Sequence, residues 1–138
     1  MTDVAYIAIG SNVGDREHWL DLARQAIGAL DRTTVLAASA IEETAPLGPV
    51  PQGPYLNQMI AVETQLTPHE LLARLHEIER RAGRERRVRW GPRTLDLDIV
   101  CFEQQAVASP GLTVPHPELP SRDFWQRELA ELRAELGR

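Results

Sequence analysis

Two periods of hydrophobic repetition succeed one another along the chain, and the switches between them mark its elements. Residues 4–11 (VAYIAIGS) form a short apolar, β-branched run that predicts a buried strand. After a turn over residues 12–15, Trp19, Leu22, Ala23, Ala26, Ile27 and Leu30 recur at helical spacing and predict an amphipathic helix. Residues 33–44 read as a second strand. Residues 45–54 (APLGPVPQGP) hold four prolines and two glycines, an irregular loop long enough to suggest binding or a plain connector. Strand character returns over residues 55–65. Thr67, Pro68 and Glu70 then open a second helix as N-cap, first helical residue and capping-box partner, with Leu71, Leu72, Leu75 and Ile78 as its buried face. Gly83 is a natural stop. A basic loop over residues 84–92 leads into a strand over residues 94–102. Proline-rich turns follow, and a last helix over about residues 121–136 carries Leu129, Leu132 and Leu136 on one side. The order β-α-β-β-α-β-α predicts an α+β domain of ferredoxin-like type, a mainly antiparallel sheet with packed helices.

Composition narrows the class. With 43% hydrophobic and 25% charged residues in 138, the chain has material for one globular domain over residues 1–138 without a disulfide or metal staple. No apolar stretch approaches the ~20 residues that span a bilayer, and residues 1–10 lack a basic-then-apolar signal layout. Cys101 stands alone, so no internal disulfide forms and a cytoplasmic location is expected. A net charge of −5 argues against general attraction to nucleic acid or to an anionic membrane. All fifteen basic residues are arginine, and seven of them fall within residues 80–93. Genome composition explains the missing lysine; the clustering needs a local reason.

That reason lies in residues 89–98 (RWGPRTLDLD). On a strand, Asp96 and Asp98 share one face while Leu95, Leu97 and Ile99 share the other. Two adjacent carboxylates repel unless a proton or cation intervenes, and hard oxygens suit Mg²⁺, which fills its shell with water and phosphate oxygens. A D-x-D alone also fits a solvent-facing edge strand. Arg84, Arg86, Arg87, Arg89 and Arg93 just upstream shift the balance, because guanidinium groups pair with phosphate oxygens in bidentate fashion. Cations and carboxylates around a polyphosphate form the constellation of phosphoryl transfer. Trp90 reads equally as core or as a flat surface for a nucleobase. A Walker loop is excluded, since it requires lysine; residues 10–14 (GSNVG) resemble a phosphate cradle only faintly and fit a turn capped by Asn12 or Asp15 better. Tyr55 and Asn57 share a strand face beside the loop carrying Leu47 and Gly48. With Phe124, Arg122 and His116 they supply aromatic faces, an amide and cations for a small-molecule pocket, although each alone is more often structural.

Residues 6–12 (YIAIGSN), 44–48 (TAPLG), 55–57 (YLN), 89–98 (RWGPRTLDLD) and 112–116 (LTVPH) resemble, in order and spacing, the successive blocks of the hydroxymethyldihydropterin pyrophosphokinase family. The resemblance implies a three-layer α/β/α domain on a ferredoxin-like core, acting in folate biosynthesis. It implies that the pyrophosphoryl group of ATP passes to 6-hydroxymethyl-7,8-dihydropterin with release of AMP. Asp96 and Asp98 would hold two Mg²⁺ ions. The pterin would stack between Tyr55 and Phe124, with Thr44, Pro46, Leu47 and Asn57 reading its edge and Trp90 on a closing loop. Arg84, Arg87, Arg93, His116 and Arg122 match positions near the phosphates, and Glu79, Ile99 and Thr113 match positions around the nucleotide. The partners implied are small molecules, with no nucleic acid, no membrane and a monomeric chain.

This sequence departs from the family pattern in places. The loop over residues 83–90 is shorter, which leaves roles among Arg84, Arg86 and Arg87 open. Gly111 stands where a basic residue can occur, and Ala45 replaces a proline. A nucleotidyltransferase using D-x-D would release pyrophosphate instead of AMP. A nucleic-acid module would use the arginine patch with Trp90, against the acidic net charge. An inactive relative is disfavoured by the intact Asp96 and Asp98.

Overall fold

The computed structural model describes residues 1–46, 48, 49, 51–83 and 94–138. Strand β1 (Asp3–Ser11) is buried along its whole length, as its unbroken apolar run predicts, because it lies between two strands and beneath helices on both faces. Its neighbours are β4 (Tyr55–Thr64) and β5 (Asp96–Phe102), both antiparallel to it, and β2 (Thr33–Ala38) pairs with the far side of β4, giving the order β2-β4-β1-β5. This is the ferredoxin-like order. Helices α1 (Arg16–Gly28) and α2 (Pro68–Arg81) cover one face, where Ile7, Ile9, Leu20, Ile27, Ile60, Leu75 and Leu97 join one core. Helix α3 (Asp123–Glu135) covers the other, where Tyr6, Met59, Ala61, Trp125, Leu129 and Leu132 form a second. No helix among the described residues is long and apolar enough to cross a membrane.

The predicted strand over residues 33–44 is two strands. Both β2 and β3 (Glu42–Thr44) pair with β4, and the strand is interrupted over residues 39–41. There the Ser39 N–H donates to the Met59 carbonyl at 2.8 Å, while the Met59 N–H donates to the Ser39 hydroxyl at 2.9 Å. The hydroxyl takes the place of the Ser39 carbonyl, which turns away to accept from the Gln58 amide at 2.7 Å. Side-chain competition of this kind is local to serine and leaves no mark on hydrophobic periodicity. Thr44 is thereby set opposite Tyr55, and Glu42 opposite Asn57.

Strand β5 starts at Asp96, two residues later than predicted, and alternates as expected up to Ile99. The pairing with β1 then skips Val100, so Val100 and Cys101 both enter the α3-side core. Burial pushes the Cys101 thiol up to about 11. The turns after residue 102 contain a hairpin that hydrophobic spacing missed, β6 (Val107–Ser109) with β7 (Leu112–Val114), each three residues long. Helix α2 begins as predicted: the Glu70 N–H donates to the Thr67 hydroxyl at 3.1 Å, and the Thr67 N–H donates to the Glu70 carboxylate at 2.8 Å. Gly83 follows its end at φ +76°, in the left-handed region that glycine enters without strain.

Removing the α2 cap isolates a local term. Thr67→Ala is expected to destabilise the protein by about 1 kcal/mol, since it leaves the Glu70 N–H without its acceptor. Urea unfolding should show a lower midpoint with an unchanged slope.

Candidate active site

One end of the α3-side face of the sheet collects most of the described residues singled out by their chemistry. Gly10 is the centre of this region: it lies opposite Asn57 of β4 on one side and Asp96 of β5 on the other. A Cβ built on Gly10 would stand 3.3 Å from Asn57 Oδ1 and 3.4 Å from Tyr55 Cδ1. The missing side chain therefore gives Tyr55 and Asn57 room to lie across the strand. Gly10 lies inside β1, as the strand expected over residues 4–11 has it, and not in the turn or phosphate cradle that residues 10–14 also suggested.

Asn57 is buried and donates from Nδ2 to the Thr44 hydroxyl at 2.6 Å, which orients its amide. Tyr55, half-buried, is the cross-strand partner of Thr44. Pro46 is half-buried at the start of the proline-rich loop, and Gly48 follows at φ +91°. Asn12 ties the far end of that loop down, donating to Gln52 Oε1 at 2.7 Å and to the Gly53 carbonyl at 3.1 Å. The helix cap beside it is Asp15, whose carboxylate accepts the His18 N–H at 3.1 Å.

Asp96 and Asp98 are half-buried on the same face of β5, with Leu95, Leu97 and Ile99 in the opposite core. Among the described residues, two hydrogen bonds hold the backbone of this strand beyond its ladder with β1. The Leu97 N–H, between the two carboxylates, donates to Glu79 Oε2 at 2.8 Å, and the His116 N–H donates to the Val100 carbonyl at 2.7 Å. Glu79 is thus a buried carboxylate on the α1/α2 side that holds β5 by its backbone. Ile99 is in the core on that same side, so its side chain faces away from Asp98. Thr113 is exposed on β7, opposite Ala108.

His116 brings an imidazole to Asp98. Its Nδ1 accepts the Glu118 N–H at 3.1 Å, so the proton of a neutral ring sits on Nε2, 3.8 Å from Asp98 Oδ1. An ion pair there would need a charged ring. Burial pulls the His116 pKa below its ordinary 6.5, with help from Arg122 and against Glu118, so the ring is neutral at pH 7. At 3.8 Å the Nε2–H is beyond hydrogen-bonding reach of Asp98. Trp125, missed in the sequence, is the platform below. The His116 ring meets it edge-on at 4.9 Å, Arg122 stacks on it at 4.3 Å, and Phe124 packs at 6.3 Å. Its spacing to Leu129 and Leu132 is the helical signal that would have found it. Arg122 is held by Glu118 at 2.7 Å.

Two hard carboxylates with adjoining donors suit a divalent ion that shares its shell with phosphate oxygens. Among the described residues no group of three or more His, Cys, Asp and Glu comes together as a cage. Mg²⁺ commonly takes only one or two protein carboxylates, so Asp96 and Asp98 fit such an ion. Arg84, Arg87, Arg93, Trp90 and Leu47, all expected at the site, lie outside the described residues.

The His116 geometry makes a direct prediction. Nitrogen NMR is expected to show the Nε2–H tautomer, titrating below pH 6.5. Because the folded ring binds its proton less readily than the unfolded one, stability from this group is complete above pH 6.5 and is lost as pH falls through the lowered value. An Nδ1–H tautomer would contradict the assigned bond.

Comparison of the sequence with known proteins points to one family. The family description "7,8-dihydro-6-hydroxymethylpterin-pyrophosphokinase (HPPK)" fits residues 6–134. A Bacillus subtilis protein named 2-amino-4-hydroxy-6-hydroxymethyldihydropteridine pyrophosphokinase is 45% identical over 135 residues, covering 96% of this chain and 79% of its own length. A Haemophilus influenzae protein of the same name is 39% identical, covering 96% of this chain and 82% of its own length. A Lactococcus lactis protein named bifunctional protein FolKE is 37% identical over 92% of this chain, which spans 36% of that longer protein. The chain belongs to the 7,8-dihydro-6-hydroxymethylpterin pyrophosphokinase family.

Proposed function

We propose that this protein transfers the terminal pyrophosphoryl group of ATP to the hydroxymethyl oxygen of 6-hydroxymethyl-7,8-dihydropterin, releasing AMP, in folate biosynthesis. The observation that carries the reading is the convergence, around Gly10, of the carboxylate strand with the strand bearing Tyr55 and Asn57. A reaction joining a flat heterocycle to a polyphosphate needs these two chemistries side by side. The new bond joins the pterin oxygen to the β-phosphorus, and the bond from that phosphorus to the oxygen bridging it to the α-phosphate breaks.

Each group has a task in this reading. Thr44 holds the Asn57 amide so that it presents one fixed hydrogen-bonding edge, and Tyr55 with Phe124 supplies aromatic faces for a planar ring. Pro46 and Leu47 are assigned to that edge. The His116 Nε2–H and the Arg122 guanidinium, both braced on Trp125, meet phosphate oxygens. Arg84, Arg87 and Arg93 are assigned to the transferring phosphates and Trp90 to closure over the pterin. Glu79 and Ile99 serve the nucleotide through the β5 backbone, with Thr113 nearby. Asp96 and Asp98 hold Mg²⁺, two ions in this reading, which when bound offset phosphate charge and orient the reacting oxygens. The rest of the catalysis is positioning and fixed charge. A monomeric, cytoplasmic protein with one domain over residues 1–138 belongs to the same proposal.

The deciding assay supplies ATP, Mg²⁺ and the pterin and separates AMP, ADP and pyrophosphate. Stoichiometric AMP and pyrophosphorylated pterin are expected; ADP or free pyrophosphate would move the protein to another transferase class. Asp96→Ala and Asp98→Ala should each nearly abolish turnover, and substantial activity in both at saturating Mg²⁺ would remove the metal assignment. Tyr55→Ala and Gly10→Ala should raise the KM for pterin on the order of tenfold with ATP affinity little changed, because one deletes the ring's platform and the other crowds it. An effect confined to ATP would misplace the pocket.

A further inference from the structure

Behind the site, the structure buries a carboxyl group that the reaction has no use for. Glu128 of α3 is only 2% exposed, and neither of its carboxylate oxygens meets a hydrogen-bond donor. Facing it is Glu42 of β3, whose Oε1 is likewise buried without a donor. The other Glu42 oxygen accepts from Arg127 at 3.2 Å, which favours the ionised form of Glu42. Among the described residues Glu131 is the other charged group acting on Glu128, and it accepts the Ala40 N–H at 2.9 Å. Two ionised carboxylates here would repel, with Glu128 lacking both solvent and a donor and Arg127 reaching only the far oxygen of Glu42. One proton resolves the conflict: a protonated Glu128 donates to Glu42 Oε1.

The pair occupies a strategic place. Glu42 lies directly opposite Asn57 and two residues before Thr44, on the strand that orients the Asn57 amide. Glu128 follows Phe124 by four residues, one turn along the same side of α3. We propose that Glu128 and Glu42 share one proton and act as positioning residues, joining the strand of Thr44 to the helix of Phe124 and so setting the width of the pterin slot. This rests on the reading of Tyr55, Thr44, Asn57 and Phe124 as that slot. Burial, then hydrogen bonding and charge from Glu42, raises the Glu128 pKa to about 9, against a weaker opposing pull from Arg127. The tie therefore holds at neutral pH and breaks in alkaline solution, where the second charge drives β3 and α3 apart.

The linkage has a definite sign. Glu128 in the folded protein keeps its proton up to about pH 9, against 4.5 for the ordinary carboxyl. Its contribution to stability is complete below pH 4.5 and is lost progressively as pH rises to about 9.

Three measurements on the whole protein test this. Infrared spectroscopy at neutral pH should show the carbonyl stretch of a protonated carboxylic acid, absent in E128Q and lost from the wild type above about pH 9. Its absence from the neutral wild type would overturn the shared proton. In E128Q the amide donates to Glu42 and cannot titrate, so its melting temperature should gain on the wild type as pH rises from 4.5 to 9. A constant gap would equally overturn it. The KM for pterin in the wild type should rise about tenfold relative to E128Q across the alkaline transition, a modest share of the repulsion between partly buried carboxylates, with the KM for ATP unchanged. E128L, which fills the space without a donor, should show the raised pterin KM already at neutral pH. Wild-type behaviour in E128L, or parallel pH profiles for wild type and E128Q, would refute the positioning role. No pterin-dependent AMP at all would instead refute the substrate reading and the slot with it, while the infrared and melting results would still decide the shared proton.

Discussion

The register of β1 against its two neighbours is the constraint on which the site depends. β1 is buried on both faces, so a slip of one residue would exchange its two sets of side chains between unlike cores. Held in place, it sets Gly10 opposite Asn57 and Asp96 at once. The amide of one strand and the carboxylate of another become neighbours through a residue with no side chain. No pairing between β4 and β5 could achieve this, since β1 lies between them. The glycine is what keeps that shared position open on the α3 side.

Around this centre, the strand of carboxylates is held from outside the sheet. Among the described residues β5 pairs with β1 alone, and the Glu79 carboxylate and the His116 N–H take up backbone groups at Leu97 and Val100. Both contacts fall within two residues of Asp98, so the segment that carries the charges is tied at an edge where sheets usually fray. The same contact that braces β5 delivers the His116 ring to Asp98, with Trp125 behind it. Neutral His116 lies beside Asp98, and cationic Arg122 is paired with Glu118. The buried carboxyl pair between β3 and α3 extends that economy to the far side of the pocket, where one proton does the work of an ion pair.

How much of this was legible in the sequence differs with the distance over which each feature acts. Helix α2 was readable from its cap because Thr67, Pro68 and Glu70 act within one turn. The opposition of Asp96 and Asp98 to Leu95, Leu97 and Ile99 followed from the two-residue period of a strand. The break at Ser39 was not readable, because the hydroxyl competes with a backbone carbonyl only when Met59 stands opposite. The β6–β7 hairpin was too short, at three residues a strand, to show a period.

The sequence by itself therefore determined the order of the main helices and long strands, the apolar and carboxylate faces of β5, and, through its ordered motifs, the family. These are properties of local geometry and of residue identity, and they need no partner. The tertiary structure alone decided that Gly10 is a clearing in a strand, that Glu79 grips the Leu97 N–H, that His116 is neutral with its proton on Nε2, and that Glu128 faces Glu42. Most of these depend on groups far apart along the chain being brought to contact distance. There pKa values and hydrogen-bond roles are set by what stands opposite, and a single chain read in order does not contain that information.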